Sequence, residues 1–432
     1  MDPLTILGAG VAGLSAAYHA QKAGVDYAIF EAKHKIGGLC RTEHVNGFLF
    51  DFSGHLLHLK DSYVLALVLE LLKDNIHTVS RNAAIYSHGV FTRYPFQANL
   101  YGLPTKVIKE CLLKFIRASY ENEDLENCQY PNFREWILSK FGEGIGKHFM
   151  FPYNEKVWTV PTEALTCEWM GGYVPRPSLE DVIEGAISDC AKAFGYNSSF
   201  LYPINGGIQS LANCFVARIA PVRVGMAAVR IDVDKHLITF ESGETCQYSH
   251  LVSTVPLHRL AHMLEGNVPQ DVRGAAKLLM SNTVFVVNVG VRGTGLTDKH
   301  WVYIPDKNIP AYRVGVYSNF SDNMTPQGNS SYYVETAFPE AAEISEQHVV
   351  ETSLDLLMSV GFLRKRADVA VVSTQKIESG YVRFDFHRTN ARRTILSFLN
   401  SRKISSIGRY GGWDYSGMEE AILQGKEVVN LI

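Results

Sequence analysis

The stretch LTILGAGVAGLSAA, residues 4–17, decides the fold. A short aliphatic run ends in Gly8-Ala9-Gly10-Val11-Ala12-Gly13, a G-x-G-x-x-G, and small apolar residues at helical spacing follow it. DYAIFEA, residues 26–32, then reads as a second strand that closes on Glu31. In a strand–turn–helix–strand each glycine has a task. Gly8 permits the tight turn, Gly10 lets a pyrophosphate reach the backbone, and Gly13 lets the helix lie close on the strand. The first turn of that helix, with Ala12 in it, offers unpaired N–H groups and a partial positive charge to phosphate. Glu31 follows Gly13 by 18 residues, where a carboxylate accepts ribose hydroxyls. The plain alternative is a glycine-rich turn in a nucleotide-free α/β domain. The flanks and the acid favour a Rossmann-like dinucleotide site.

Bulk properties set the frame. The chain has 432 residues, 46% hydrophobic, and a formal net charge of −3. That is enough for a large core and more than one domain. Near-neutrality argues against a protein that works by coating nucleic acid or an anionic membrane. The seven cysteines (40, 111, 128, 167, 190, 214 and 246) are scattered without a C-x-x-C pair. Such a set reads as reduced thiols, not a disulfide frame or a zinc site. The apolar start lacks the basic flank of a signal peptide, and no apolar run reaches the roughly 18 residues of a membrane helix. The expectation is a soluble, cytoplasmic protein that holds no metal.

Helical periodicity appears over 62–75 and 103–119. Beyond residue 220 strand patterns dominate: VRVGMAAVRIDV, LITFES, HLVSTV, NTVFVVNVGV, WVYIP, YRVGVYS and SYYVETAF. Helical character returns within 339–361, KISSIGRYG is strand-like, and a last helix starts near Gly417. The acidic ENEDLE, 121–126, reads as a solvated link. FMFPYNEKVWTVP, 149–161, with four aromatics and two prolines, reads as a rigid, half-polar ribbon.

Two glycine-rich elements identify the nucleotide. Lys35-Ile36-Gly37-Gly38-Leu39-Cys40-Arg41-Thr42 resembles the double-glycine element of the flavin-dependent amine oxidase superfamily, whose backbone and Arg reach FAD. Gly408-Arg409-Tyr410-Gly411-Gly412-Trp413-Asp414-Tyr415, with Gly417-Met418 opening a helix, resembles the superfamily's C-terminal element at the flavin ring or ribityl chain. Val229 takes the place of a strand residue whose backbone meets adenine, and Ser253-Thr254-Val255-Pro256 returns the chain to the FAD domain. The resemblance implies an α/β fold in three parts. The FAD-binding domain is expected from 1–100, 201–285 and 396–432, a helical substrate domain from 101–200, and a mostly antiparallel substrate-side sheet from 286–395.

Within the superfamily, FMFPYNEKVWTVP is similar to the Arg-Pro-Tyr-Asn-x-Lys-Val-Trp-x-Val-Pro run of the eukaryotic-type UDP-galactopyranose mutases. Further matches fall in order. Phe52-Ser53-Gly54-His55 resembles the loop whose His lies beside the flavin. Arg93-Tyr94-Pro95-Phe96-Gln97 and Asn132-Phe133-x-x-Trp136 resemble uridine-side elements. Tyr303 and Arg313 resemble a family Tyr and a diphosphate-binding Arg, Tyr415 resembles a C-terminal Tyr near the diphosphate, and Arg81 and Arg409 resemble arginines used when NADPH reduces the flavin. The resemblance implies a nucleotide-sugar substrate and a reduced FAD whose N5 attacks the anomeric carbon. Pyranose and furanose forms would interconvert without net redox change, with NAD(P)H a possible reductant. His55, Arg313, Tyr303 and Tyr415 are the expected catalytic group. Tyr153, Asn154 and Trp158 of the ribbon are expected at the substrate.

The pattern breaks at three positions. Phe151 stands where the family has a diphosphate-binding Arg, Ser178 where it has an Asn, and Phe320 where it has a Tyr. A charge-assisted hydrogen bond contributes roughly 1.5–3 kcal/mol, so the changes point to an altered substrate. His58, Arg176, Arg383 or Arg388 would then supply substitute charge. The position of a further family Tyr near YVRFDFHRTNARR, residues 381–393, is not fixed by the resemblance. The second reading is an FAD-dependent oxidase or desaturase, and a third is an FAD-bound regulatory protein.

Overall fold

The computed structural model describes residues 4–121, 130–170, 173–189, 192, 194 and 198–431. The ENEDLE link beyond Glu121, Cys128 and Cys190 lie outside the described residues.

The opening motif folds as its spacing predicts. Leu4–Leu7 is a fully buried strand, Val11–Ala23 the helix behind it, and Tyr27–Glu31 the second strand. Gly24, at φ 69°, ends the helix in the left-handed conformation that favours glycine. A parallel five-stranded sheet collects pieces from across the chain, in the order Ile404–Ser406, His250–Ser253, Leu4–Leu7, Tyr27–Glu31 and Arg223–Val224. A second, four-stranded sheet is built from residues 228–265.

The large sheet has seven strands, in the order Val369–Ile377, Asn282–Arg292, Asn329–Pro339, Arg313–Val316, Trp301–Tyr303, Ala83–Ser87 and Val90–Arg93. All neighbours are antiparallel except Trp301–Tyr303 with Ala83–Ser87. The last two strands correct the expected boundary, since residues 83–93 fell in the nucleotide-binding segment 1–100. They pair with each other as a hairpin, but their partner in the sheet, Trp301–Tyr303, lies some 200 residues away, and no local pattern encodes it. Alternation assigns the faces. Val287, Val289, Val291, Val314, Val334 and Tyr332 pack with Val349 and Leu357 of the helix Glu346–Ser359. Val284, Val286 and Tyr333 on the other face pack into the cluster that holds Ile6 and Leu14 of the opening strand and helix.

Between 105 and 187 the regular elements among the described residues are helices, Thr105–Glu121, Phe133–Ile145, Phe151–Trp158 and Leu179–Ile187, with a π-turn at Gly146–Met150 and a largely irregular connection over 159–170 and 173–178. The rigid ribbon expected over FMFPYNEKVWTVP is therefore helical from Phe151 to Trp158. Pro152 sits in the first turn of a helix, where a missing N–H costs nothing. Thr159, at φ 58°, closes that helix in the left-handed region.

Candidate functional site

The nucleotide cradle is built by close approach. Gly8 has φ +101°, and a Cβ there would lie 2.1 Å from Thr254 Oγ1. A Cβ on Gly13 would lie 1.9 Å from the Gly8 carbonyl, so the third glycine is what lets helix and strand touch. Gly10 bridges to Gly37 and faces Gly38, which brings the two glycine turns together. Gly408, φ +80°, closes on Ala12 from the C-terminal element. Glu31 accepts hydrogen bonds from the backbone N–H groups of Ala9 (2.8 Å) and Lys33 (2.9 Å), which ties the acid to the phosphate turn.

Arg41 is buried, with its guanidinium 4.2 Å over the Phe52 ring and its Nε without a protein partner. A side-chain-free concavity at a helix N-terminus, with a buried, unsatisfied guanidinium donor, fits the pyrophosphate of FAD. Leu39 is half-buried in the same turn, and Met418 begins the C-terminal helix, whose Gly417 N–H donates to Glu420 at 2.8 Å. Val229 lies at a register irregularity of its strand and is exposed.

Beside the cradle the large sheet presents one row of directly opposed residues: Val286, Glu335, Arg313, Tyr303 and Ile85. Direct cross-strand partners share a face. Glu335, only 1% exposed, takes Arg313 in a bidentate pair through Nε and Nη2 (2.9 Å for the latter). Ser53 Oγ also donates to Glu335. The Ser53–His55 turn is thereby pulled onto the sheet, and Tyr333 packs where a Cβ on Gly54 would be 2.1 Å from its hydroxyl oxygen.

Aromatic side chains surround this row. Tyr303 stacks on Tyr94 at 5.1 Å and meets Tyr153 edge-on at 5.4 Å. Tyr381 and Tyr415 lie nearly parallel at 6.5 Å, with the Arg409 guanidinium 5.5 Å and 4.7 Å from their rings. Trp158 abuts both tyrosines. Burial holds the His55 imidazole down at about 4, an effect that Arg409 and Arg313 strengthen and Glu335 opposes. Burial pushes the Tyr381 phenol up to about 12 and raises Tyr153, Tyr303 and Tyr312 as well. At neutral pH the chamber thus offers a neutral imidazole and several phenol donors.

The sequence-predicted residues divide. His55, Arg313, Tyr303, Tyr415, Tyr94, Tyr153, Trp158 and Arg409 converge on the chamber. Gln97 is buried, donating to the Pro175 carbonyl at 2.7 Å, with its own carbonyl unpaired. His58 packs edge-on against Phe200, and burial lowers its pKa.

Five expected substrate contacts are otherwise engaged. Asn132 caps Phe133–Ile145 by accepting from Glu135 N, and Ser178 caps Leu179–Ile187 in a reciprocal box with Asp181. Trp136 is fully buried against Phe133 and Phe141. Asn154 donates to the Met150 carbonyl within its own helix. Phe320 is a correction: it is fully buried behind Tyr333, among Phe200, Tyr202 and Tyr317, one layer away from the chamber.

Phe151 packs where a Cβ on Gly146 would lie 2.6 Å from its ring, and the Arg134 guanidinium caps that ring at 4.1 Å. Of the suggested substitute cations, Arg388 is buried against Asp414 and Glu168, and Arg176 is exposed. Glu335, Ser53, Tyr312, Tyr333 and Tyr381 were missed. Alternation in SYYVETAF, which puts an acid on the same face as Tyr333, was the available signal for Glu335.

The sequence profile described as "Flavin containing amine oxidoreductase" matches residues 11–432. The chain belongs to that family. Among solved structures, reduced UDP-galactopyranose mutase superposes with a TM-score of 0.93 at 28% identity, over 100% of this chain and 95% of that one. A putative protoporphyrinogen oxidase from Exiguobacterium sp. 255-15 shares the fold, with a TM-score of 0.74 at 14% identity over 100% and 98% of the two chains. Coproporphyrinogen III oxidases of Mycobacterium tuberculosis and Mycobacterium bovis are 24% identical over 306 residues, 67% of this chain and 66% of theirs.

The chain is a mutase-like member of the flavin amine oxidoreductases and has the expected α/β architecture with its mostly antiparallel sheet. FAD is the family's cofactor, and the cradle fits it. Among the described residues no helix is long and apolar enough to cross a membrane, and no group of three or more metal-ligating side chains occurs.

Proposed function

We propose that this flavoenzyme interconverts pyranose and furanose forms of a sugar carried on an anionic leaving group, as a nucleotide sugar is. One observation carries the reading: His55, Arg313, Tyr303, Tyr415 and Arg409, scattered over more than 350 residues, meet in one chamber beside the FAD cradle. Bound in its reduced form, FAD supplies a nucleophile.

The chain's own residues supply the rest. Arg313 and Arg409, with the phenols of Tyr153, Tyr303, Tyr381 and Tyr415, hold the departing anion close to the sugar by charge-assisted and phenolic hydrogen bonds. Neutral His55 accepts or donates a single hydrogen bond at the flavin side without adding charge. The aromatic walls of Trp158, Tyr94 and Tyr303 exclude water that would hydrolyse a reactive glycosyl centre. Arg81, 4.8 Å over Tyr94, and Arg409 are the groups through which NAD(P)H would dock to reduce the cofactor.

Phe151 favours a second reading. The position that carries an Arg in the resembling mutases here carries a core phenylalanine, which leaves one cation fewer for a diphosphate. An FAD-dependent oxidase or desaturase would have no use for that cation.

The discriminating experiment reduces the holoenzyme anaerobically, adds a UDP-hexose, and follows ring isomers by chromatography with oxidised enzyme as control. Isomerisation confined to reduced enzyme is expected. Equal conversion in both states overturns the reading, and substrate-driven bleaching of oxidised flavin without isomerisation overturns it in favour of the second.

A further inference from the structure

We infer that Glu335 is a positioning residue of this chamber, a single carboxylate that sets both the guanidinium of Arg313 and the turn that carries His55. This rests on reading Arg313 as a ligand contact. Glu335 stands in mid-strand in Asn329–Pro339, with Val286 directly opposite on one side and Arg313 on the other. A buried acid among tyrosines and valines is strongly unfavourable unless it is paired and its lone pairs are satisfied. Here both oxygens are used. Oε2 accepts from Arg313 Nε, and Oε1 accepts from Arg313 Nη2 at 2.9 Å and from Ser53 Oγ. Ser53 Oγ also lies 3.5 Å from Nη2, so the three side chains close a ring.

The geometry has two consequences. An arginine on a sheet face has many rotamers, and a bidentate carboxylate selects one and fixes the plane of the guanidinium. Nε and one hydrogen of Nη2 are spent on Glu335. The Nη1 edge, which makes no hydrogen bond to protein among the described residues, is left for the ligand. The second consequence concerns the turn. Ser53 has φ +70°, a left-handed conformation that a serine holds only when its surroundings determine it. Glu335 latches its hydroxyl, and the Tyr333 ring closes on Gly54 from the same strand. The flavin-side imidazole and the ligand-side guanidinium are therefore referred to one strand.

The test is a double-mutant cycle on the FAD-loaded enzyme, with UDP and a hexose 1-phosphate as probes and flavin absorbance as the readout. R313M is expected to weaken the binding probe at least tenfold. E335D keeps the charge but shortens its reach by one carbon, and is expected to weaken the same probe at least fivefold with FAD content unchanged. The double variant should bind within twofold of R313M, because Glu335 acts through Arg313. Ser53→Ala leaves the ion pair intact. It should keep probe affinity within threefold and shift the visible flavin bands.

Additive losses in the cycle overturn the inference, as does loss of FAD by E335D in step with its thermal stability. An unshifted S53A spectrum overturns the part concerning the turn. Wild type that responds to neither probe overturns the glycosyl-ligand reading and takes this inference with it, whereas probe binding with additive losses overturns the inference alone.

Discussion

Restoring an arginine at position 151 is the change that the sequence resemblance invites, and the structure predicts that it harms the protein. Phe151 is 7% exposed, lies in the first turn of its helix, and packs on the π-turn at Gly146. Removing a buried phenyl ring costs about 3–5 kcal/mol. Losing the Arg134 contact adds about 0.5–1 kcal/mol at a partly exposed site. F151R also puts a second guanidinium where Arg134 already sits, 4.1 Å from the ring. A minimum of about 3–5 kcal/mol is therefore expected from the lost ring alone. With roughly 2.1 cal/mol/K of unfolding entropy per residue, a chain of 432 residues unfolding as one unit would lose about 3–5 °C of Tm. Unfolding of a smaller cooperative unit would show a larger shift. The assay is thermal release of flavin fluorescence, run beside a UDP titration. F151R is expected to melt earlier and to bind UDP no more tightly than wild type. A Tm within 1 °C of wild type, with tighter UDP binding, would show that position 151 opens on the ligand and would refute this packing.

Four further outcomes follow from particular contacts. Asn132→Ala and Ser178→Ala should each cost about 1 kcal/mol of stability and leave ligand affinity unchanged, as helix caps do; a selective loss of affinity in either would restore it to the site. Tyr381→Phe keeps the stack on Tyr415 but removes a phenol, so ligand affinity should fall by a factor on the order of ten, for a lost hydrogen bond of about 1 kcal/mol or slightly more, at unchanged Tm. Arg41→Met should give protein with reduced FAD occupancy, read from the ratio of flavin to protein absorbance. Finally, Tm should fall as pH drops from 6.5 toward 4. His55 and His258 are held neutral by burial to about 4, whereas the unfolded chain protonates them near 6.5. Their stability is therefore present above pH 6.5 and lost on acidification. Asp51 works the other way, because its folded pKa is raised to about 6 by burial and its contribution is regained as pH falls through that value. With two histidines against one carboxylate, the net slope should be toward instability in acid; a flat or rising Tm would contradict these burials.

The parts of the fold that could be read from sequence were those whose cause is local. The G-x-G-x-x-G is a geometric necessity at a single turn, and Gly8 and Gly13 prove to be spaced by contacts that no side chain would tolerate. NTVFVVNVGV declared itself by β-branched residues, and its alternating valines divide cleanly between the two faces. Two local signals were present and not used. Asn132 with Glu135, and Ser178 with Asp181, have the spacing of helix N-caps, yet family position suggested ligand contacts. Likewise, two prolines and four aromatics in FMFPYNEKVWTVP suggested a rigid ribbon and hid a helix. Only one proline falls inside the helix, at the position where a helix accepts it, while the other lies beyond its end.

The chamber was harder to read because its logic is register, which local sequence does not contain. Glu335 and Arg313 are 22 residues apart, and both sit in strands whose apolar neighbours would suit any pairing. The pairing that was formed puts them directly opposite each other and adds Tyr303 from the next strand. A slip of either strand by one residue would turn Arg313 or Glu335 onto the face packed against Glu346–Ser359 and leave the two charges on opposite faces, each without the other. The buried ion pair therefore selects the register as well as the site. Resemblance found Arg313 because a motif surrounds it, but it could not find Glu335, whose importance lies in what stands across from it. Tyr381 opens the stretch in which sequence alone could not place a further family Tyr, and the structure sets it parallel to Tyr415 under Arg409.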